Sequence, residues 1–169
     1  MNNGLSEVLL KSFPNIQRAT RPLVNTTEIP DPMWVAGFTS GEGSFNINIA
    51  KSPNTVTGYK IGLKFQITQH TRDAELLKLI VNYFNCGYYY SVAQARENQK
   101  IGNYVVSDVK NITDIIVPFF EKYPILGVKS LDFLDFKKVA ELIKNKKHKT
   151  MESYKEIVKI NSTMNDRRP

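Results

Sequence analysis

The chain is poor in the residues that build covalent and metal frameworks. One cysteine and two histidines in 169 residues allow no internal disulfide, and Cys86, His70 and His148 are too few for a zinc cluster. Cys86 reads instead as a small core residue. Long apolar runs are missing too. The opening stretch MNNGLSEVLLKSFPN lacks a basic start, and its apolar segment is far too short for a secretory signal or a membrane span, so the chain reads as soluble and intracellular. Acids are the scarcer charge. Against 16 Asp and Glu stand 23 Lys and Arg, a net +7 that suits a polyanionic partner, although a merely solvated basic surface has the same composition. What the sequence does hold is core material: with 41% hydrophobic and 11% aromatic residues it can furnish one full core, and it reads as one domain behind a short leader.

Residues 1–32 form that leader and linker. A brief helical pattern at Leu5, Val8, Leu9 and Leu10 is broken by Pro14, and a polar, proline-bearing stretch follows. The domain itself is expected over 33–166, with 167–169 a basic frayed end. Asp31 followed by Pro32 is a helix start, a capping side chain before an N-terminal proline. That helix is expected to run through Met33-Trp34-Val35-Ala36-Gly37-Phe38 and to stop in the glycines, with Gly43 as a left-handed cap. From 43 to 51 the side chains alternate, Phe45, Ile47 and Ile49 against Ser44, Asn46 and Asn48. A second strand over 59–69 repeats the scheme, with Tyr59, Ile61, Leu63, Phe65 and Ile67 inward and Lys60, Lys64, Gln66, Thr68 and His70 outward. A helix over about 73–84 is followed by a second hairpin with Gln94, Arg96, Lys100 and Asn103 near its tip. Helices over about 111–123, crossed by Pro118, and over 127–147 and 150–165 complete the chain.

The outward face of the first two strands is a row of hydrogen-bond formers without a single acid. Asn, Gln, Lys, Ser and Thr are the side chains that can read the donors and acceptors of the DNA major groove, into which a two-stranded ribbon fits. An ordinary solvated antiparallel sheet is polar as well. It usually mixes in acids, however, and their absence here removes repulsion from phosphate.

Glu42 poses the opposite problem, because the last carbonyls of a helix lack partners and carry partial negative charge, so a carboxylate is disfavoured there. A cation reverses that penalty. The carboxylate of Glu42 and the free carbonyl of Gly41 offer a hard divalent ion two oxygen ligands, which phosphate oxygens and water can complete. A solvated acid at a helix terminus is the bland reading. Ala36 and Gly37 are small enough for a second backbone to approach along this helix, or for ordinary packing under the sheet.

Val35-Ala36-Gly37-Phe38-Thr39-Ser40-Gly41-Glu42-Gly43 resembles the signature of the LAGLIDADG homing endonucleases. The likeness extends over about 34–142, with further matches at FQITQH (65–70) and YPILGVKS (123–130). It implies an α+β fold of order helix-hairpin-helix-hairpin-helix (αββαββα), whose antiparallel sheet forms a saddle on duplex DNA. Two signature helices then lie side by side at a symmetry axis, with their acidic ends over the minor groove. By position the resemblance makes Glu42 the metal-binding acid, with the Gly41 carbonyl beside it. Gln69 matches a residue that orders active-site water, and Lys129 the lysine that supports the metal and solvent network; Glu42, Gln69 and Lys129 are thus the catalytic set. Gln66 matches a base-reading position. Ser44, Asn46, Asn48, Lys60, Lys64, Thr68 and His70 on the first hairpin and Gln94, Arg96, Lys100 and Asn103 on the second fill out the implied DNA surface. Trp34, Val35, Ala36, Gly37 and Phe38 form the implied dimer interface. Ser40 departs from the acid common at the motif's sixth place.

The activity so implied is magnesium-dependent, site-specific cutting of double-stranded DNA that leaves short 3′ overhangs, with manganese or calcium able to substitute in binding. Only one signature and no internal repeat are present, whereas the family comprises one-repeat homodimers and fused two-repeat chains. The leader resembles the segment that joins the repeats, so the chain looks like the second half of a fused enzyme and needs a second copy or a complementary half. The family's fungal members are often encoded in organellar introns, which points to the mitochondrion by analogy. A non-cleaving DNA- or RNA-binding module, such as a maturase-like splicing factor or an inactive half-domain, fits the basic sheet face equally well. A structural interaction protein using the small-residue helix is the third reading.

Overall fold

The computed structural model describes residues 6–16, 27–93 and 100–168. Helix α1, Glu7–Ser12, is capped by the Ser6 hydroxyl and buries none of its residues. Helix α2, Pro32–Glu42, starts where Asp31 Oδ1 accepts the Met33 amide at 2.6 Å, with proline in the first turn where no amide is needed. It stops in the glycines, as expected, ending at Glu42 between Gly41 and Gly43. Strand β1, Gly43–Lys51, begins at the very next residue.

Gly43 ends the helix for a different reason from the one expected. Its φ of −81° and ψ of 158° are extended, not left-handed. Glycine is required there by crowding: a Cβ would stand 2.5 Å from Thr39 Cγ2 and 2.7 Å from the Thr39 carbonyl oxygen. The abrupt passage from helix to strand brings the two backbones closer than any side chain allows.

Strand β2, Tyr59–His70, pairs antiparallel with β1 in the register Gly43↔Ile67 to Lys51↔Tyr59. Helix α3, Ala74–Phe84, then leads to strands β3, Tyr88–Ala93, and β4, Lys100–Val106. The sheet order is β1-β2-β4-β3, so β2 carries β1 on one side and β4 on the other. Helical residues return over 109–122 as α4, Val109–Asn111, a π turn, Ile112–Ile116, and α5, Val117–Lys122. Pro118 explains the π turn. Proline has no amide to give, and its ring clashes with the carbonyl four residues back, so a widened turn just before it relieves the helix. Helices α6, Lys129–Lys144, and α7, Met151–Asn161, follow and are shorter than their periodicity suggested. This is the expected α+β order with two added helices.

Period-two alternation works as read. Phe45, Ile47, Ile61, Leu63, Phe65 and Ile67 are all buried on one face of the sheet. Phe45 sits at the centre, with ring centroids of Phe65, Phe120, Phe133 and Phe136 at 5.2, 5.8, 5.4 and 5.2 Å, the tilted and offset range that aromatic rings favour. Tyr104 is fully buried and donates its hydroxyl to the Cys86 carbonyl at 3.1 Å. Cys86 is buried, as expected of a small core residue. Ile29, within the stretch read as leader, packs against this core.

The chain end departs from expectation. Residues 167–168 do not fray: the Arg168 guanidinium reaches Asp132 at 2.8 Å and Asp135 at 2.7 Å, both on α6. Among the described residues no helix is long and apolar enough to cross a membrane.

Candidate DNA interface and active site

The end of α2 is where the chemistry collects. Lys129, first residue of α6, extends Nζ to the Gly41 carbonyl at 3.0 Å and to the Thr39 carbonyl at 3.3 Å. The Gly41 carbonyl is therefore not free, as the sequence reading had it. An ammonium occupies the place where the helix end gathers negative potential. Partial burial lowers the Lys129 pKa, while the carboxylates of Glu42 and Asp132 act in the opposite direction. Glu42 itself is exposed at the helix terminus. Gln69 lies two residues beyond Ile67, the strand partner of Gly43, which puts it at the same end of the sheet. Its side chain makes no hydrogen bond among the described residues. Glu42, Gly41, Lys129 and Gln69, distant in sequence, thus share one end of the fold.

Among the described residues no three histidine, cysteine or acidic side chains converge to hold a metal. Glu42 and the Gly41 carbonyl are oxygen donors only, a set that fits a hard ion such as magnesium and leaves most of an octahedron to phosphate and water.

The outer face of the sheet carries Ser44, Asn46, Asn48, Lys60, Lys64, Gln66, Thr68 and His70, each on the parity opposite to the core. No acid lies on β1 or β2. Gln66 Nε2 donates to Thr68 Oγ1 at 2.9 Å and to Asn103 Oδ1 at 2.8 Å, and the Thr68 hydroxyl donates to the same Asn103 oxygen at 2.9 Å. Asn103 is only 4% exposed, so it holds Gln66 and Thr68 in place rather than reaching out. His70 accepts the Arg72 amide on Nδ1, capping the short turn after β2.

Lys100 is a second correction. Asn103 pairs with Thr68 and is on the outer face; Lys100, three residues earlier, has the opposite parity. Gln94 and Arg96 lie outside the described residues. The register also reveals two candidates that the sequence reading left unplaced, Tyr88 and Tyr90. They pair with Val105 and Asn103, stand on the outer face, and are 53% and 37% exposed. Their pairing with β4 is what places them, since three consecutive tyrosines carry no alternation of their own.

The expected dimer interface divides in two. Val35 and Ala36 are 0% and 1% exposed, committed to the chain's own core. Trp34, Gly37 and Gly41 are exposed, and a Cβ on either glycine would meet nothing within 4 Å, whereas Phe38 is half-buried and packs in part against the core. Trp34 and Phe38 stack at 5.0 Å. The two glycines, four residues apart, leave a smooth groove for another helix to approach closely.

The sequence pattern of the LAGLIDADG endonuclease family matches residues 35–140. "Probable intron-encoded endonuclease 2" of Neurospora crassa is 38% identical, covering 97% of this chain and 36% of that protein. Among solved structures, the I-SmaMI LAGLIDADG homing endonuclease bound to cleaved DNA superposes with a TM-score of 0.87 at 39% identity, covering 100% of this chain and 55% of that one. The I-GzeII LAGLIDADG homing endonuclease in complex with its DNA target gives 0.83 at 40% identity, again covering 100% and 55%. The chain therefore spans 36% of the curated relative and 55% of the solved chains. With the signature helix ending in Glu42 under an acid-free sheet face, and with this agreement along its whole length, the chain belongs to the LAGLIDADG endonuclease family.

Proposed function

We propose that the chain is one half of a magnesium-dependent, sequence-specific double-strand DNA endonuclease, acting as a homodimer or beside a complementary LAGLIDADG half. The observation that carries this reading is the cluster at the end of α2. Glu42 and Gly41 meet the cationic Lys129 there, at the end of a sheet whose outer face offers phosphate no repulsion.

The exposed stripe of Trp34, Gly37 and Gly41 supports pairing with a second signature helix, which brings a second acid beside Glu42. A twofold pair reads a pseudo-palindromic site, and a fused partner an asymmetric one. Ser44, Asn46, Asn48, Lys60, Lys64, Gln66 and Thr68 face the major groove, with Gln66 and Thr68 preset by Asn103. Glu42 and the Gly41 carbonyl are the groups that would hold magnesium, which when bound polarises the scissile phosphate and acidifies water. Gln69 orients the attacking water, whose oxygen bonds to phosphorus as the bond to the leaving sugar oxygen breaks. Lys129 neutralises charge that develops on the phosphate. Short 3′ overhangs follow from two such centres across the minor groove. Relatives named as intron-encoded endonucleases support an organellar origin and hence a mitochondrial location.

Replacing Glu42 with Gln tests the assignment. Cutting of a target selected from a duplex library should be lost in the Glu42→Gln chain, while affinity for that duplex stays within about threefold of wild type, since Glu42 makes no attractive contact with phosphate. Cutting by the variant at the wild-type rate would remove Glu42 from the site. Wild-type binding without any magnesium-dependent cutting would favour the non-cleaving module instead.

A further inference from the structure

The basic end of the chain is built into the sheet rather than left loose. Asp132, 6% exposed on α6, accepts three hydrogen bonds: the Asn165 amide at 3.0 Å, Arg168 Nε at 3.1 Å and Arg168 Nη2 at 2.8 Å. Asn165 takes a left-handed conformation, φ 56°, which asparagine tolerates better than most residues. Its side-chain Nδ2 donates to the Phe45 carbonyl at 3.1 Å. Phe45 lies on β1, an edge strand, so this bond closes part of an otherwise open edge. The segment 163–168 is a hook with one end on α6 and the other on the sheet.

The hook has a definite product, the position of Arg167. A cleft of about 280 Å³ at the β1 edge is lined by Arg167 and Asp166 together with Asn46, Asn48 and Asn161. Asn46 and Asn48 belong to the outer, acid-free face. Arg167 is exposed, and its guanidinium makes a single hydrogen bond, Nη1 to the Asn161 carbonyl at 3.3 Å, with no ion pair among the described residues. Arg168, its neighbour, is held by two carboxylates, Asp132 and Asp135. Two adjacent arginines are thus divided between anchor and reach: one is spent on carboxylates inside the fold, the other is presented beside the reading face. Asp166 in the same cleft offsets part of the charge, but the planar fork of Arg167 remains free to take two phosphate oxygens at once.

We infer that Arg167 is a DNA-backbone contact, held at the rim of the reading face by the Asp132-anchored hook, with Arg168 as its positioning residue. The inference rests on the DNA-binding reading above and adds a residue outside the signature, the strands and the catalytic set. The contact is to phosphate, so it is independent of base sequence and can be measured on any duplex.

The test is binding of the full chain to a mixed-sequence duplex of about three helical turns over a series of salt concentrations. Each phosphate contact contributes about 0.9 to the slope of log affinity against log salt, which near 0.15 M makes the loss of one contact worth about fivefold. Arg167→Ala should lose one such increment of slope and about that factor in affinity, with an unchanged thermal midpoint, because its side chain is outside the core. Arg167→Lys should keep the slope. Arg168→Ala, which frees the hook but leaves Arg167 in the chain, should lose slope as Arg167→Ala does. An unaltered slope in Arg167→Ala would overturn the inference while leaving the DNA reading intact. A full slope in Arg168→Ala would overturn the hook as the holding device. A wild-type chain with no salt-dependent affinity would bring down the DNA reading and the inference together.

Discussion

Thr39 and Gly43 are a locked pair. Thr39 is fully buried, and its hydroxyl has no hydrogen-bond partner among the described residues. Its methyl and carbonyl sit where a side chain at position 43 would stand. Two predictions follow from these contacts. Thr39→Val keeps the shape and removes the buried unpaired oxygen, and should raise unfolding free energy by about 1 kcal/mol in denaturant melts. Gly43→Ala forces the helix end and strand start apart and should lower it by about 1–3 kcal/mol, with a loss of DNA affinity, since the displacement is passed to Ser44 and Glu42. A neutral Gly43→Ala would show that the junction has slack. The opposite reading of Gly43, as a left-handed cap, is natural from sequence because glycine after a helix is most often that. The clash that requires it here comes from a residue on the preceding turn, which no spacing rule reports.

At the scale of elements, what was legible depended on whether one local period settled the matter. The faces of β1 and β2 did come out of the sequence: with period two, placing Phe45 and Phe65 in the core fixes Asn46, Lys64 and Gln66 outside. Helix α2 did not yield in the same way. Trp34, Val35, Ala36 and Phe38 are all apolar, so neither side of the helix is polar and nothing local says which side meets the chain's own core. The structure assigns Val35 and Ala36 inward and Trp34 outward, with Phe38 half-buried between them. Lys100 and Asn103 were misplaced because the second hairpin lacks a clean alternation to phase it. Lys129 was found through its place in a resemblance; its hold on the Gly41 carbonyl is a contact between residues 88 apart. The same long-range character hid the Arg168 hook. For β1 the expected consequence of its central aromatic is direct: Phe45→Ala should reduce stability by about 3–5 kcal/mol and broaden the melting transition, because four neighbouring rings lose their common contact.

For the whole molecule, buried phenols set the behaviour in alkali. Burial, aided by Cys86, pushes the Tyr104 hydroxyl far above its ordinary value of 10.0, and burial likewise raises the Cys86 thiol. The folded chain keeps these protons at a pH where the unfolded chain has released them. Fewer protons are then bound in the unfolded state, so stability falls as pH rises. The decline should begin near the unfolded thiol and phenol values of 9.0 and 10.0, and Tyr104→Phe should flatten it in urea melts recorded across that window. A Tyr104→Phe chain with the same alkaline slope as wild type would assign the effect to other groups.

On the proposed function, one chain supplies one acid, Glu42, whereas cutting both strands takes two. On that proposal the exposed stripe on α2 brings two copies together when no other half is present. The most direct measurement is the product formed when equal amounts of wild type and Glu42→Gln are combined, allowed to exchange partners, and given supercoiled plasmid bearing a selected target. Mixed pairs carry a single working acid, so nicked circles that neither protein makes alone are expected. Linear product at half the wild-type rate, with no nicked species, would mean that each chain cuts both strands by itself and would contradict the proposal.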